Sequence, residues 1–122
     1  MRFINSSLHG IMDYAAALAL IVLPFLLGLE EQSALAHWIS VIAGVGLIGY
    51  SLITQYAFSL AKVIPFKLHL ILDIVAAIFF LIAPFVLGFD GVAAIYYWVM
   101  GAGVVMVVVF SNALDAEVGE VA

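Results

Sequence analysis

The sequence contains no cysteine. That removes disulfides, thiolate metal ligands, iron–sulfur clusters and cysteine nucleophiles together. Charge is also scarce: 9% of residues carry it, against about a quarter in soluble domains. The fixed cations are Arg2, Lys62 and Lys67, so there is no basic patch for nucleic acid. The net charge of −5 is spread over loops and termini and specifies no acidic or basic partner. What fills the chain instead is apolar, with 68% hydrophobic residues among 122 and a mean hydropathy of +1.34. A soluble domain needs polar residues to cover such a core. This composition points to lipid as the surrounding medium.

A bilayer core of about 30 Å is crossed by about 20 apolar helical residues. Four segments meet that requirement, at 8–28, 35–57, 68–88 and 92–113. They are too long for strands and lack the polar alternation of barrel strands, and helices satisfy their own backbone in lipid. The expected fold is therefore all-α, with four transmembrane helices. "LEEQSA" separates the first pair and "FDG" the last, while "FSLAKVIPFK" joins the halves. Pro65 stands just before the third span, where its missing N–H costs little. Pro24 and Pro84 precede Gly28 and Gly88 by one turn and are expected to bend and release the helix exits.

Arg2, Lys62 and Lys67 fall on one side of these spans, and Glu30, Glu31 and Asp90 on the other. The positive-inside rule then places both termini in the cytoplasm. Trp38, Tyr96, Tyr97 and Trp98 are expected to form an aromatic belt at the outer interface. Arg2, an apolar run and "SALA" at 33–36 imitate a secretory leader. The first segment is longer than a usual leader core and is read as a span.

Displaced by 60 residues, the chain matches itself without a gap. His9 meets His69, Asp13 meets Asp73, Pro24-Phe25 meets Pro84-Phe85, Leu27-Gly28 meets Leu87-Gly88, Trp38 meets Trp98 and Ser51 meets Ser111. The two units are 1–60 and 61–122, the second ending in an acidic tail. Each holds two spans, so both enter the membrane with the same orientation. Parallel hairpin repeats about a pseudo-twofold along the membrane normal are expected. Ser40, Gly44, Gly46, Gly49, Gly101 and Gly103 would let backbones approach closely.

The repeated polar element is His-x-x-x-Asp, as "HGIMD" and "HLILD". The i, i+4 spacing puts each pair on one helix face. An intramembrane aspartate is costly, which places His9, Asp13, His69 and Asp73 in the bundle interior near the cytoplasmic side. The leading reading is a hydrogen-bonded cluster in a non-catalytic membrane protein without a bound cofactor. A proton- or cation-conducting site is the first alternative. A metal held by two imidazoles and two carboxylates, or haem between the two histidines, is the second. Gln55, Ser51 and Ser111 lie at a matching depth. His37 aligns with Tyr97 and reads as an interfacial polar residue. Nothing resembles a nucleophile–base–orienter set or a nucleotide loop, so no enzyme is expected.

The paired "HGIMDY…LPFLLGL" and "HLILDI…APFVLGF", joined through "YSLITQY" and "IPFKLHL", resemble the SPW-repeat membrane proteins. The namesake Ser-Pro-Trp stands here as Leu23-Pro24-Phe25 and Ala83-Pro84-Phe85, a variant without the serine and tryptophan. The resemblance implies a small integral protein of the bacterial inner membrane with a duplicated two-helix unit. It names no activity and no partner beyond the bilayer, and both a homo-oligomer and an accessory subunit stay open.

Overall fold

The computed structural model of the chain describes residues 6–54, 61 and 63–111. Four long helices carry the architecture: α1 (Ser6–Leu26), α3 (Ala34–Leu52), α4 (Phe66–Leu87) and α5 (Gly91–Phe110). A single turn, α2 (Leu29–Gln32), lies between α1 and α3, inside the segment read as a plain connection. All four long helices are long and apolar enough to cross a membrane. Their outward faces fit lipid: Leu26 and Phe85 are 75% and 76% exposed.

The principal packing is α1 on α3 and α4 on α5, each pair joined by a short turn. Gly28 and Gly88 adopt left-handed backbone at φ 64° and 75° after α1 and α4, a conformation glycine enters without a Cβ clash. Ser33 caps α3 by accepting from the Ala36 N–H at 3.1 Å, which satisfies one of the orphan donors of a helix start. α3 ends at Leu52, earlier than the expected 57, and α5 at Phe110 rather than 113; residues 55–57 and 112–113 lie outside the described residues.

Buried positions run down α1 as His9, Asp13, Ala17, Leu20 and Pro24. On α4 they run as His69, Asp73, Ala77, Phe80 and Pro84. The spacing of four, four, three and four is the stripe of an α-helix that faces its neighbours on one side. The backbones come closest where α3 and α5 offer glycine. A Cβ at Gly44 would stand 2.8 Å from the Ala17 carbonyl oxygen, and one at Gly101 3.0 Å from that of Ala77. Gly46, Gly49 and Gly103 make no such approach, as a Cβ there meets nothing within 4 Å. The expected small-residue contact surface is thus reduced to Ser40, Gly44 and Gly101.

Pro24 has no N–H to give the Leu20 carbonyl one turn back. Ser40 Oγ fills that vacancy at 2.8 Å. Its proton being so used, Ser40 accepts from the Tyr96 hydroxyl at 2.6 Å. Tyr97 donates to the Ala36 carbonyl at 2.6 Å and stacks on Phe80 at 4.4 Å. These contacts tie the two hairpins together at the end away from His9 and His69. They also correct the aromatic belt. Trp38 and Trp98 are exposed, whereas Tyr96 and Tyr97 are 6% and 0% exposed. Successive residues on a helix are about 100° apart, so three adjacent aromatics cannot all face lipid.

Candidate functional site

His9 and Asp13 sit at the start of α1, and His69 and Asp73 at the start of α4. All four are buried, and their donor atoms lie within 4.8 Å of one another. His9 Nε2 is 3.2 Å from Asp13 Oδ2 and 3.0 Å from Asp73 Oδ2. His69 Nε2 is 2.6 Å from Asp13 Oδ2 and 3.3 Å from Asp73 Oδ2. Nitrogens and oxygens therefore alternate around a four-cornered ring with sides averaging about 3.0 Å. Whether flat or puckered toward a tetrahedron, a ring of that size sets its corners about 1.8–2.1 Å from its centre, close to the distances at which imidazole nitrogen and carboxylate oxygen bind zinc. The two carboxylate oxygens also fill the space between the imidazoles that a porphyrin would need.

The far side of each imidazole is fixed. Ser111 Oγ donates to the Val107 carbonyl at 2.5 Å, which uses its one proton. It therefore accepts from His9 Nδ1, 2.6 Å away. Thr54 Oγ1 likewise donates to the Tyr50 carbonyl at 2.5 Å and accepts from His69 Nδ1 at 2.7 Å. Both hydroxyls thus hold the Nδ1–H tautomer, and a neutral ring turns its Nε2 lone pair to the carboxylates. Lone pairs facing carboxylates at these distances repel unless positive charge lies between them. Two carboxylates call for two such charges, as two protons or one divalent cation.

Local structure sets these positions. The Val63 and Ile64 N–H groups donate to the Ile53 carbonyl at 2.8 and 2.7 Å, which brings the end of α3 to the start of α4 and Thr54 to His69. Tyr50 adds a phenol hydrogen bond to Asp73 Oδ1. Phe66 is 3% exposed and closes the cluster by meeting the His9 ring edge-on at 5.1 Å.

The four sequence-picked residues therefore come together. Ser111 joins them, while Ser51, its counterpart sixty positions earlier, is buried with no hydrogen bond from its hydroxyl. Thr54 takes that place. Gln55 lies outside the described residues. Thr54 and Tyr50 leave no mark in the repeat, because their counterparts, Leu114 and Phe110, carry no hydroxyl. His37 stands apart at the opposite end. It is 2% exposed in the first turn of α3, wedged against Phe25 and Trp38 with Glu30 at 3.9 Å. Pro24 and Pro84 lie within α1 and α4, near the same end.

Between the two tied ends lies a cavity of about 410 Å³. Asp13, Tyr50 and Asp73 form its polar part, and Ala16, Leu47 and Phe80 are among its apolar walls.

No curated protein and no solved structure matches the chain. The SPW repeat domain matches residues 7–112, nearly its whole length. With its long apolar helices, this multi-pass membrane protein belongs to the SPW repeat family.

Proposed function

We propose that the protein binds one first-row divalent cation, with zinc as the type, at His9, Asp13, His69 and Asp73, and that it is not an enzyme. The carrying observation is the tautomer lock. Ser111 and Thr54 accept from both Nδ1–H groups, which turns both Nε2 atoms toward two carboxylates that converge on one point. Two neutral imidazoles and two carboxylates balance one divalent charge. Hydroxyls behind the ligating rings are the outer support that metal-bound histidines use. A macrocycle fits less well, because the carboxylates occupy its plane.

The ligands come from both hairpins, so a bound cation would join the two repeated units. Arg2, Lys62 and Lys67 support an orientation in which this end faces the cytoplasm. The duplicated sequence supports parallel repeats, and the likeness to SPW-repeat proteins supports a bacterial inner membrane. The same charge balance also supports a second reading, in which two imidazolium protons replace the metal and the cluster serves as a proton site or a structural tie.

Calorimetric titration of the detergent-purified, chelator-treated protein with Zn²⁺ separates these. Saturable binding of one ion per chain, lost in His9→Ala/His69→Ala while circular dichroism stays helical, is the expected result. No saturable binding leaves the proton reading.

A further inference from the structure

The cavity between the hairpins has an asymmetry that the cation site does not use. Its walls are alanine, glycine, valine, leucine, phenylalanine and methionine from all four long helices. Among the described residues, its polar lining is two carboxylates and a phenol, with no lysine, arginine or histidine. Ala15, Ala76, Val99 and Gly103 belong to the lining and are also exposed, so the cavity opens on the lipid-facing side of the bundle. At about 410 Å³ it falls in the range that holds small organic ligands, about 300–1,000 Å³. Met12 and Met100 give part of the wall an adaptable shape.

We propose that this cavity takes a lipophilic ammonium from the bilayer, with its apolar body among Ala16, Leu47, Phe80 and Val104 and its –NH₃⁺ head at Asp13 and Asp73. Charge complementarity selects the head. A primary ammonium offers three donors to carboxylate acceptors, whereas a carboxylate or sulfate head would face like charge in a low dielectric. The open side selects the route. A molecule partitioned into lipid reaches the walls without crossing the polar cluster, and its head then moves toward the buried carboxylates. The proposal shares with the cation reading the need of Asp13 and Asp73 for positive charge, but it requires no metal. A head seated there supplies one of the two charges, so ammonium and divalent cation compete.

The test uses decylamine with a terminal diazirine, photolysed with the full chain in phosphatidylcholine nanodiscs and mapped by mass spectrometry. Labelling on the cavity walls, displaced by unlabelled decylamine but not by decanoate, is expected. A Cβ at Gly103, in the cavity lining, meets nothing within 4 Å; Gly103→Leu is expected to weaken displacement at least tenfold while leaving Zn²⁺ binding as in the wild type. Ala76→Leu, also in the exposed part of the lining, checks that result independently. Equal displacement by decylamine and decanoate, or undiminished binding in both filled variants, overturns the proposal. Amine binding without any Zn²⁺ binding overturns the metal reading alone.

Discussion

The His69 imidazole lies 2.6 Å from Asp13, on the other hairpin, and 3.3 Å from Asp73, one turn along its own helix. His9 shows the same preference, at 3.0 Å from Asp73 and 3.2 Å from Asp13. The i, i+4 pairs visible in the sequence are therefore halves of a crossed arrangement. In the metal-free protein, where the imidazoles carry the two protons, removing Asp13 strands the His69 charge on the opposite hairpin. For a buried pair that loss is about 3–5 kcal/mol. Asp13→Ala is expected to lower the melting temperature more than Asp13→Ala/His69→Leu does, measured by thermal scanning fluorimetry in detergent. A larger loss in the double variant would mean that the two residues do not pair.

The hydroxyls behind the imidazoles make a sharper comparison. Ser111→Ala and Thr54→Val each remove a group that holds the Nδ1 proton. Loss of such outer support typically costs about 10–100-fold in metal affinity, and that drop is expected in a Zn²⁺ titration. Ser51→Ala, at the position matching Ser111 in the first unit, is expected to leave affinity unchanged, since its hydroxyl bonds nothing in the cluster.

Pro24 and Ser40 are coupled through the Leu20 carbonyl. Ser40→Ala leaves that buried acceptor without its donor, at a cost of about 1–3 kcal/mol. Restoring an N–H with Pro24→Ala allows the helix to supply the bond itself. The double variant Pro24→Ala/Ser40→Ala is therefore expected to melt higher than Ser40→Ala alone. If it melts lower, the serine does not substitute for the missing helix bond.

Glycines that look alike in sequence differ in packing. At Gly44 a methyl meets the α1 backbone and the Leu20 and Ile21 side chains, so Gly44→Ala is expected to destabilise by about 1–3 kcal/mol. Gly46→Ala meets nothing and gains helix propensity, up to about 1 kcal/mol. Parallel thermal melts of the two variants compare them directly.

The four long helices, their breaks and the burial of the repeated His-x-x-x-Asp pairs were legible because span length and the cost of an intramembrane carboxylate are local properties. The crossed pairing was not, since an i, i+4 spacing points first to the same-helix partner. Thr54 and Tyr50 were invisible because self-comparison highlights shared residues, and these two lack equivalents. Tyr96 and Tyr97 misled for a related reason: aromatics at a span end suit either an interface or a close-packed turn, and contacts with Ser40, Ala36 and Phe80 decide it. Among the glycines of α3 and α5, register alone separates Gly44 and Gly101 from the rest. It differs between the units: Gly44 and Gly101 are 57 residues apart, three short of the repeat.

Four side chains from two hairpins converge on the proposed site of one divalent cation. Elemental analysis of the purified protein after Zn²⁺ loading and desalting, beside His9→Ala/His69→Ala, tests it most directly. One zinc per wild-type chain and none in the variant is expected. A wild-type protein that stays metal-free, or a variant that retains its zinc, would contradict it.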